Sequence, residues 1–268
     1  MSSALPIGIF DSGIGGLTVA NAIRKILPNE QIIYFGDTAH MPYGDKSPEA
    51  IKFYSLKIAK FLLDKKCKLI LIACNTASAH AYNELLHFLG NQVPIINVID
   101  PVVDKMIKSG SHGRIGVIGT KSTIRSDIYA KKFKAVDPTI QVSSLPTPLL
   151  APMIEEGFFN NNISKTVINS YLASSKLKRI DSLILACTHY PLIKPEISSY
   201  YNGKVEIINT AEIVAEHLKT QLTSLNLLNE DPPKKHQFFI SDYTPSFARS
   251  TQLFFGEKIH LSYKPIWD

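Results

Sequence analysis

Cysteine is scarce in this 268-residue chain: only Cys67, Cys74 and Cys187, an odd count with no Cys-x-x-Cys pair. That excludes a disulfide framework and a zinc knuckle, so any cysteine chemistry belongs to single thiols. Long apolar runs are missing too, and the longest, such as "LILIAC", fall far short of the ~20 residues that span a bilayer. The opening "MSSALPIGIF" has no basic region ahead of an apolar one, so no signal peptide is expected and a soluble cytoplasmic protein is the simplest reading. The net charge is +6, yet no dense basic stripe exists; lysines come as scattered pairs such as Lys65 with Lys66 and Lys234 with Lys235, without interleaved aromatics. Nucleic acid is therefore not the expected partner, and the mild positive field suits a small anion.

What is present describes an ordinary folded protein of one or two domains, 45% hydrophobic and 19% charged. Short apolar runs alternate with helical patterns, which predicts an α/β fold with mostly parallel strands. "PIGIF", "QIIYF", "LILIA" and "PIINV" are the first strand candidates. Between the second and third, Ser47 can cap a helix, Pro48 takes its first position, and Ile51, Tyr54, Ile58, Phe61 and Leu62 make one apolar face.

The second half then repeats the first. "IGVIGT" lines up with "IGIFDS", "TIQVSSL" stands where "QIIYFGD" should recur, "SLILACTHY" echoes "LILIACNTA", and "EIINTAE" echoes "PIINVID". A period of about 110 residues is too long for a solenoid, whose units run roughly 20 to 50 residues, and is the size of a domain. Two pseudo-symmetric α/β domains facing one cleft are expected: residues 1–98 with 210–268, and residues 99–209. The strand candidate "HQFFIS" and the helix "TPSFARSTQLFF" would complete the first.

Ligands of open parallel sheets sit beyond the carboxyl ends of the strands. Those ends here carry Asp11 and Ser12, Gly36 and Asp37, Cys74 to Thr76, Asp100, Gly119 and Thr120, Cys187 to His189, and Asn209 and Thr210. The glycine-rich "FDSGIGGLT" is a poor phosphate loop, because Thr18 stands at the third glycine of a dinucleotide fingerprint and no P-loop lysine follows Gly16. Cys74 and Cys187 occupy equivalent positions of the two repeats. Thiols on opposite sides of one ligand suit inversion of a stereocentre, one removing a proton from one face while the other delivers a proton to the opposite face. A single buried cysteine is ordinarily core filler; the matched pair speaks against that, while Cys67 has no counterpart and receives no role. Asp11 and Ser12 could be helix caps, His189 a satisfied core histidine, and "GDTAHMPYG" a turn, but Asp11 and His189 could also hold an ammonium or tune a thiol, and Tyr43 with nearby N–H groups could hold a carboxylate. The backbone N–H groups of Asn75, Thr76, Thr188 and His189, each near an expected helix start, are further candidates for a carboxylate.

Together "GIFDSGIGGLTV", "IYFGDTAHMPYG", "ILIACNTASA", "GVIGTKSTI", "PMIEEGF" and "LILACTHYPLI" resemble the glutamate racemases of the cofactor-independent aspartate/glutamate racemase superfamily. The resemblance implies interconversion of L- and D-glutamate by two cysteine bases without pyridoxal phosphate or metal, supplying D-glutamate for peptidoglycan, in a cytoplasmic homodimer with no membrane or nucleic-acid partner. By motif, Cys74 is similar to the base that acts on D-glutamate and Cys187 to the one that acts on L-glutamate, while Asp11 looks like the assistant of the first and His189 and Glu155 like those of the second. Ser12, Tyr43, Gly44, Asn75, Thr76, Thr120, Thr123 and Thr188 match substrate-contact positions. The family often has arginine where His40 stands and an acidic residue where Asn209 stands. With no long N-terminal extension, activation by a cell-wall precursor is not expected. An aspartate or hydantoin racemase would share both cysteines, a cysteine hydrolase could use Cys187 with His189 alone, and a silent amino-acid-binding module would bind without turnover.

Overall fold

The computed structural model describes residues 2–110 and 113–267. Among the described residues the apolar runs become ten strands: Ile7–Asp11 (β1), Ile32–Gly36 (β2), Leu69–Ile72 (β3), Ile95–Asn97 (β4), Ile115–Gly119 (β5), Val142–Pro146 (β6), Ser182–Ala186 (β7), Glu206–Ile208 (β8), Gln237–Ile240 (β9) and Leu261–Tyr263 (β10). They form two all-parallel sheets, ordered β10-β9-β2-β1-β3-β4 and β6-β5-β7-β8. The order β2-β1-β3-β4 recurs strand for strand as β6-β5-β7-β8, so the repeat in the sequence is a repeat of topology. It places Cys74, just after β3, and Cys187, just after β7, at corresponding points.

The two-residue period of a strand divides the inner strands between two cores. Ile7, Ile9, Leu69 and Leu71 face a core shared with Leu183 and Leu185 of the second sheet. Phe10, Ile70 and Ile72 face a separate cluster, and Val117 and Ile184 a third. The middle core therefore runs from one sheet to the other.

Local signals set the helix ends. Pro48–Asp64 (α2) starts where Ser47 accepts the Ala50 N–H at 3.2 Å, and it buries Ile51, Ile58, Phe61 and Leu62 with Tyr54 half-buried. Thr210–Ser224 (α10) lies against Leu17–Ile26 (α1) and Asp100–Lys108 (α4). The chain then returns to the first sheet, tied by a buried ion pair: Lys68 Nζ stands 2.6 Å from Glu30 Oε2 and donates to the Leu227 carbonyl at 2.7 Å, while Glu30 Oε1 accepts the Asn229 N–H at 2.9 Å. Burial lowers the Lys68 ammonium from its usual range, and Glu30 opposes that. Beyond the expected "HQFFIS" strand, β10 extends the sheet edge; its three residues are too few to carry a period. Among the described residues no helix is long and apolar enough to cross a membrane.

Candidate active site

The carboxyl ends of the two sheets enclose a cavity of about 250 Å³. Of the residues singled out from sequence, Ser12, Tyr43, Gly44, Cys74, Asn75, Thr76, Thr120, Glu155, Cys187, Thr188 and His189 line it. Asp11 and Thr123 stand behind the wall, both buried. The volume lies below the roughly 300–1,000 Å³ of drug-sized sites and suits a small molecule rather than a dinucleotide.

Cys74 caps Asn75–Leu89 (α3), its sulfur accepting the Ala77 N–H at 3.4 Å and lying 3.7 Å from Ser12 Oγ. Burial pushes the Cys74 thiol up to about 12, with the Asp11 charge acting in the same direction and the Ala77 and Ser12 hydrogen bonds against it. Asp11 is tied elsewhere: its carboxylate accepts the Gly13 N–H at 3.1 Å and faces the Thr188 hydroxyl at 3.5 Å. Burial raises the Asp11 carboxyl, opposed by the positive charge of His189 and the Gly16 and Gly13 N–H groups. Behind the wall, Asp11 thus acts on Cys74 through its charge and faces the residue following Cys187.

The surroundings of Cys187 differ from expectation. No α-helix begins there; a single 3-10 turn, Tyr190–Ile193, intervenes before Lys194–Tyr200 (α9). The cause is local: Pro195 has no N–H for the Pro191 carbonyl and its ring crowds that group, so one regular helix cannot run through. An imidazole stands where the helix end was expected. Cys187 Sγ lies 3.5 Å from His189 Nδ1, and His189 Nε2 lies 2.7 Å from Glu155 Oε1. Burial disfavours the charged ring, but the Cys187 sulfur and the Glu155 carboxylate outweigh it and hold His189 well above the ordinary histidine range. The arrangement places a positively charged ring beside the Cys187 sulfur.

The glycines of "GIGG" prove to be contact glycines. A Cβ on Gly15 would collide with the His189 ring and the Thr188 hydroxyl, and one on Gly16 with Asp11 and the Tyr34 hydroxyl. Nearby, Thr18 donates to the Thr188 carbonyl at 2.7 Å, so the residue that breaks the nucleotide fingerprint joins the two halves. Gly44 meets Thr120 in the same way across the cleft. Gly15→Ala is therefore expected to push His189 off its sulfur and lower kcat/KM by up to about 10²-fold with circular dichroism unchanged. An unchanged rate would mean that the ring has room to yield.

Hydroxyls close the other wall. Thr76 Oγ1 lies 2.9 Å from both Thr120 and Thr123, which lie 3.0 Å from each other, and Thr120 caps Lys121–Ser126 (α5). Thr123 thus braces the residues that line the cavity. Tyr43 is held from behind, its hydroxyl donating to Asp37 at 2.7 Å; Asp37 also accepts from Ser241 at 2.7 Å and meets His40 Nδ1 at 3.0 Å. His40 stacks on Tyr54 with ring centroids 4.0 Å apart, and Asn209 caps α10; neither lines the cavity.

The sequence profile of the Asp/Glu/Hydantoin racemase family matches residues 17–218. The chain belongs to this family. A glutamate racemase from Geobacter metallireducens is 42% identical over 254 residues, covering 94% of this chain and 93% of its own. The crystal structure of glutamate racemase from Francisella tularensis in complex with D-glutamate matches with a TM-score of 0.93 at 38% identity, covering 99% of each chain. That from Thermus thermophilus in complex with β-chloro-D-alanine matches with a TM-score of 0.88 at 32% identity, covering 99% of this chain and 98% of its own.

In this member of the racemase family, Met41, Pro42, Ala151, Pro152 and Ala186 also line the cavity and were not singled out from sequence. Ala151, Pro152 and Glu155 share Leu150–Glu155 (α7), where the i, i+4 spacing puts Ala151 and Glu155 on one face. Glu155 was therefore a pointer to its neighbours. Cys67 is buried away from the cavity, and burial pushes its thiol up to about 12.

Proposed function

We propose that this protein interconverts L- and D-glutamate with Cys74 and Cys187 as the two bases and no added cofactor. The observation that carries the reading is the pair of thiols at equivalent points of two repeated sheets, lining one cavity, each with its own polar partner. From L-glutamate, the Cys187 sulfur takes the Cα proton: the C–H bond breaks, an S–H bond forms, and the electron pair stays on Cα and spreads into the carboxylate. The Cys74 S–H then breaks and its proton bonds to the opposite face. The reverse reaction exchanges the roles, and no oxidant or reductant is consumed.

Removing this weakly acidic proton requires donors aimed at the carboxylate in a dry site. The first N–H groups of α3, at Asn75 and Thr76, have no acceptor within the helix and are such donors. The Asn75 Nδ2 group, buried at the cavity without a partner among the described residues, is another. The substrate ammonium brings positive charge toward Asp11 and Cys74. That charge favours the thiolate, which burial and the Asp11 charge disfavour.

The order Cys187–His189–Glu155 also resembles a hydrolase triad, and that observation favours a second reading as a cysteine hydrolase. Cys74 opposes it, since one-sided acyl chemistry has no use for a second thiol. The deciding measurement is optical rotation of L-glutamate with purified protein and no added cofactor: rotation falling to zero is expected, whereas a constant signal overturns the proposal. L-aspartate in parallel separates the glutamate reading from an aspartate racemase. The same resemblance supports a cytoplasmic homodimer that feeds peptidoglycan synthesis.

A further inference from the structure

Asn75 presents an amide whose two ends are chemically opposite, and its orientation decides what the cavity offers to a carboxylate. Its Oδ1 accepts a hydrogen bond from the Tyr129 hydroxyl at 2.8 Å. Tyr129 is buried on Ile128–Val136 (α6), which follows β5 in the second half of the repeat, whereas Asn75 opens α3 in the first. The bond therefore crosses from one half to the other. Burial and the Asp100 charge push the phenol far above its ordinary range, so it stays protonated and can donate. An amide oxygen is the natural acceptor for that proton. With Oδ1 engaged, Nδ2 is the end left for the cavity, and it is the end that has no partner.

We propose that Tyr129 is a positioning residue: by holding Asn75 Oδ1 across the two halves, it turns Asn75 Nδ2 toward the substrate carboxylate. This rests on the reading of the cavity as a glutamate site. Without the phenol the amide is free to rotate and point its oxygen at the carboxylate, where it repels.

The test is a cycle of Tyr129→Phe, Asn75→Ala and the double variant, with kcat and KM for both enantiomers and calorimetric binding of D-glutamate. Tyr129→Phe is expected to raise KM and the dissociation constant about tenfold, the size of one lost hydrogen bond to a charged group, with kcat falling as well because the same donor stabilises the charge that develops on the carboxylate. In the Asn75→Ala background it is expected to have no further effect. Equal, multiplying effects in both backgrounds, or a lower melting temperature with KM unchanged, would reduce Tyr129 to a packing residue and overturn the proposal. Asn75→Asp gives a second check independent of the tyrosine's packing, because it keeps an acceptor for Tyr129 and replaces the cavity-facing donor by an oxygen that also carries negative charge. KM must rise at least as much as in Tyr129→Phe; an unchanged KM also overturns the proposal. If the unaltered protein racemises no glutamate, the functional reading itself falls, which is a different outcome from active protein with an indifferent Tyr129→Phe.

Discussion

Cys74→Ser and Cys187→Ser are each expected to lower racemisation by about 10²- to 10⁴-fold or more, since each removes one of two proton-transfer groups. The double variant should be little worse than the poorer single one, because the two thiols act on the same reaction in sequence and neither works without the other. A cysteine hydrolase built on Cys187 would behave differently: Cys74→Ser would leave it active. The singles should also be one-sided. Given a glutamate carrying a leaving group next to Cα, a single base is enough for elimination. Cys74→Ser should eliminate only from the L-form, and Cys187→Ser only from the D-form. Racemisation at an unreduced rate by either single variant would end the two-base proposal, and elimination with the opposite handedness would exchange the roles of the two thiols. Optical rotation measures the first, and release of the leaving group the second.

Much of this site was readable because its chemistry sits beside the strongest local signals. Cys74 and Cys187 directly follow the apolar runs of β3 and β7, and a repeat of topology made their equivalence visible as a repeat of letters. Ser47 and Pro48 announce α2 for the same reason: cap and first-turn preferences act within a few residues. What escaped depends on contacts between distant segments. Gly15 reads as a loop residue until the His189 ring is found against it. Tyr129 draws no reading at all, because nothing near it in the chain reveals the Asn75 oxygen that it meets. The α-helix expected after Cys187 failed on a signal that was present: Pro191 and Pro195 stand four apart, the spacing at which a proline ring opposes a helical carbonyl. The imidazole that replaces the helix end makes the two thiols chemically unequal, although the topology around them is equal.

That inequality predicts a pH dependence on one side only. His189 is held well above its ordinary range, so its proton is present through neutral pH and leaves only as pH rises through the raised value. Activity that uses the charged ring should therefore hold through neutrality and fall on the alkaline side. Glu155→Gln removes one of the two groups that raise His189, so the alkaline fall should move to lower pH, with kcat/KM at neutral pH reduced by about 10²-fold or more. Stability follows the same sign. The contribution of the charged ring is complete below the unfolded histidine value of roughly 6.5 and is lost as pH climbs through the folded value. The melting-temperature gap between the unaltered protein and Glu155→Gln should accordingly be widest near the unfolded histidine value of roughly 6.5 and close as pH rises through the folded value. The sidedness cannot show in kcat/KM, because L- and D-glutamate are equal in free energy and the two directions must fall together. It must show in the isotope effect. With Glu155→Gln, proton abstraction by Cys187 becomes the harder step, so α-deuterated L-glutamate should give a larger kinetic isotope effect than in the unaltered protein, while α-deuterated D-glutamate should not. An increase confined to the D-form would place His189 and Glu155 behind the wrong thiol.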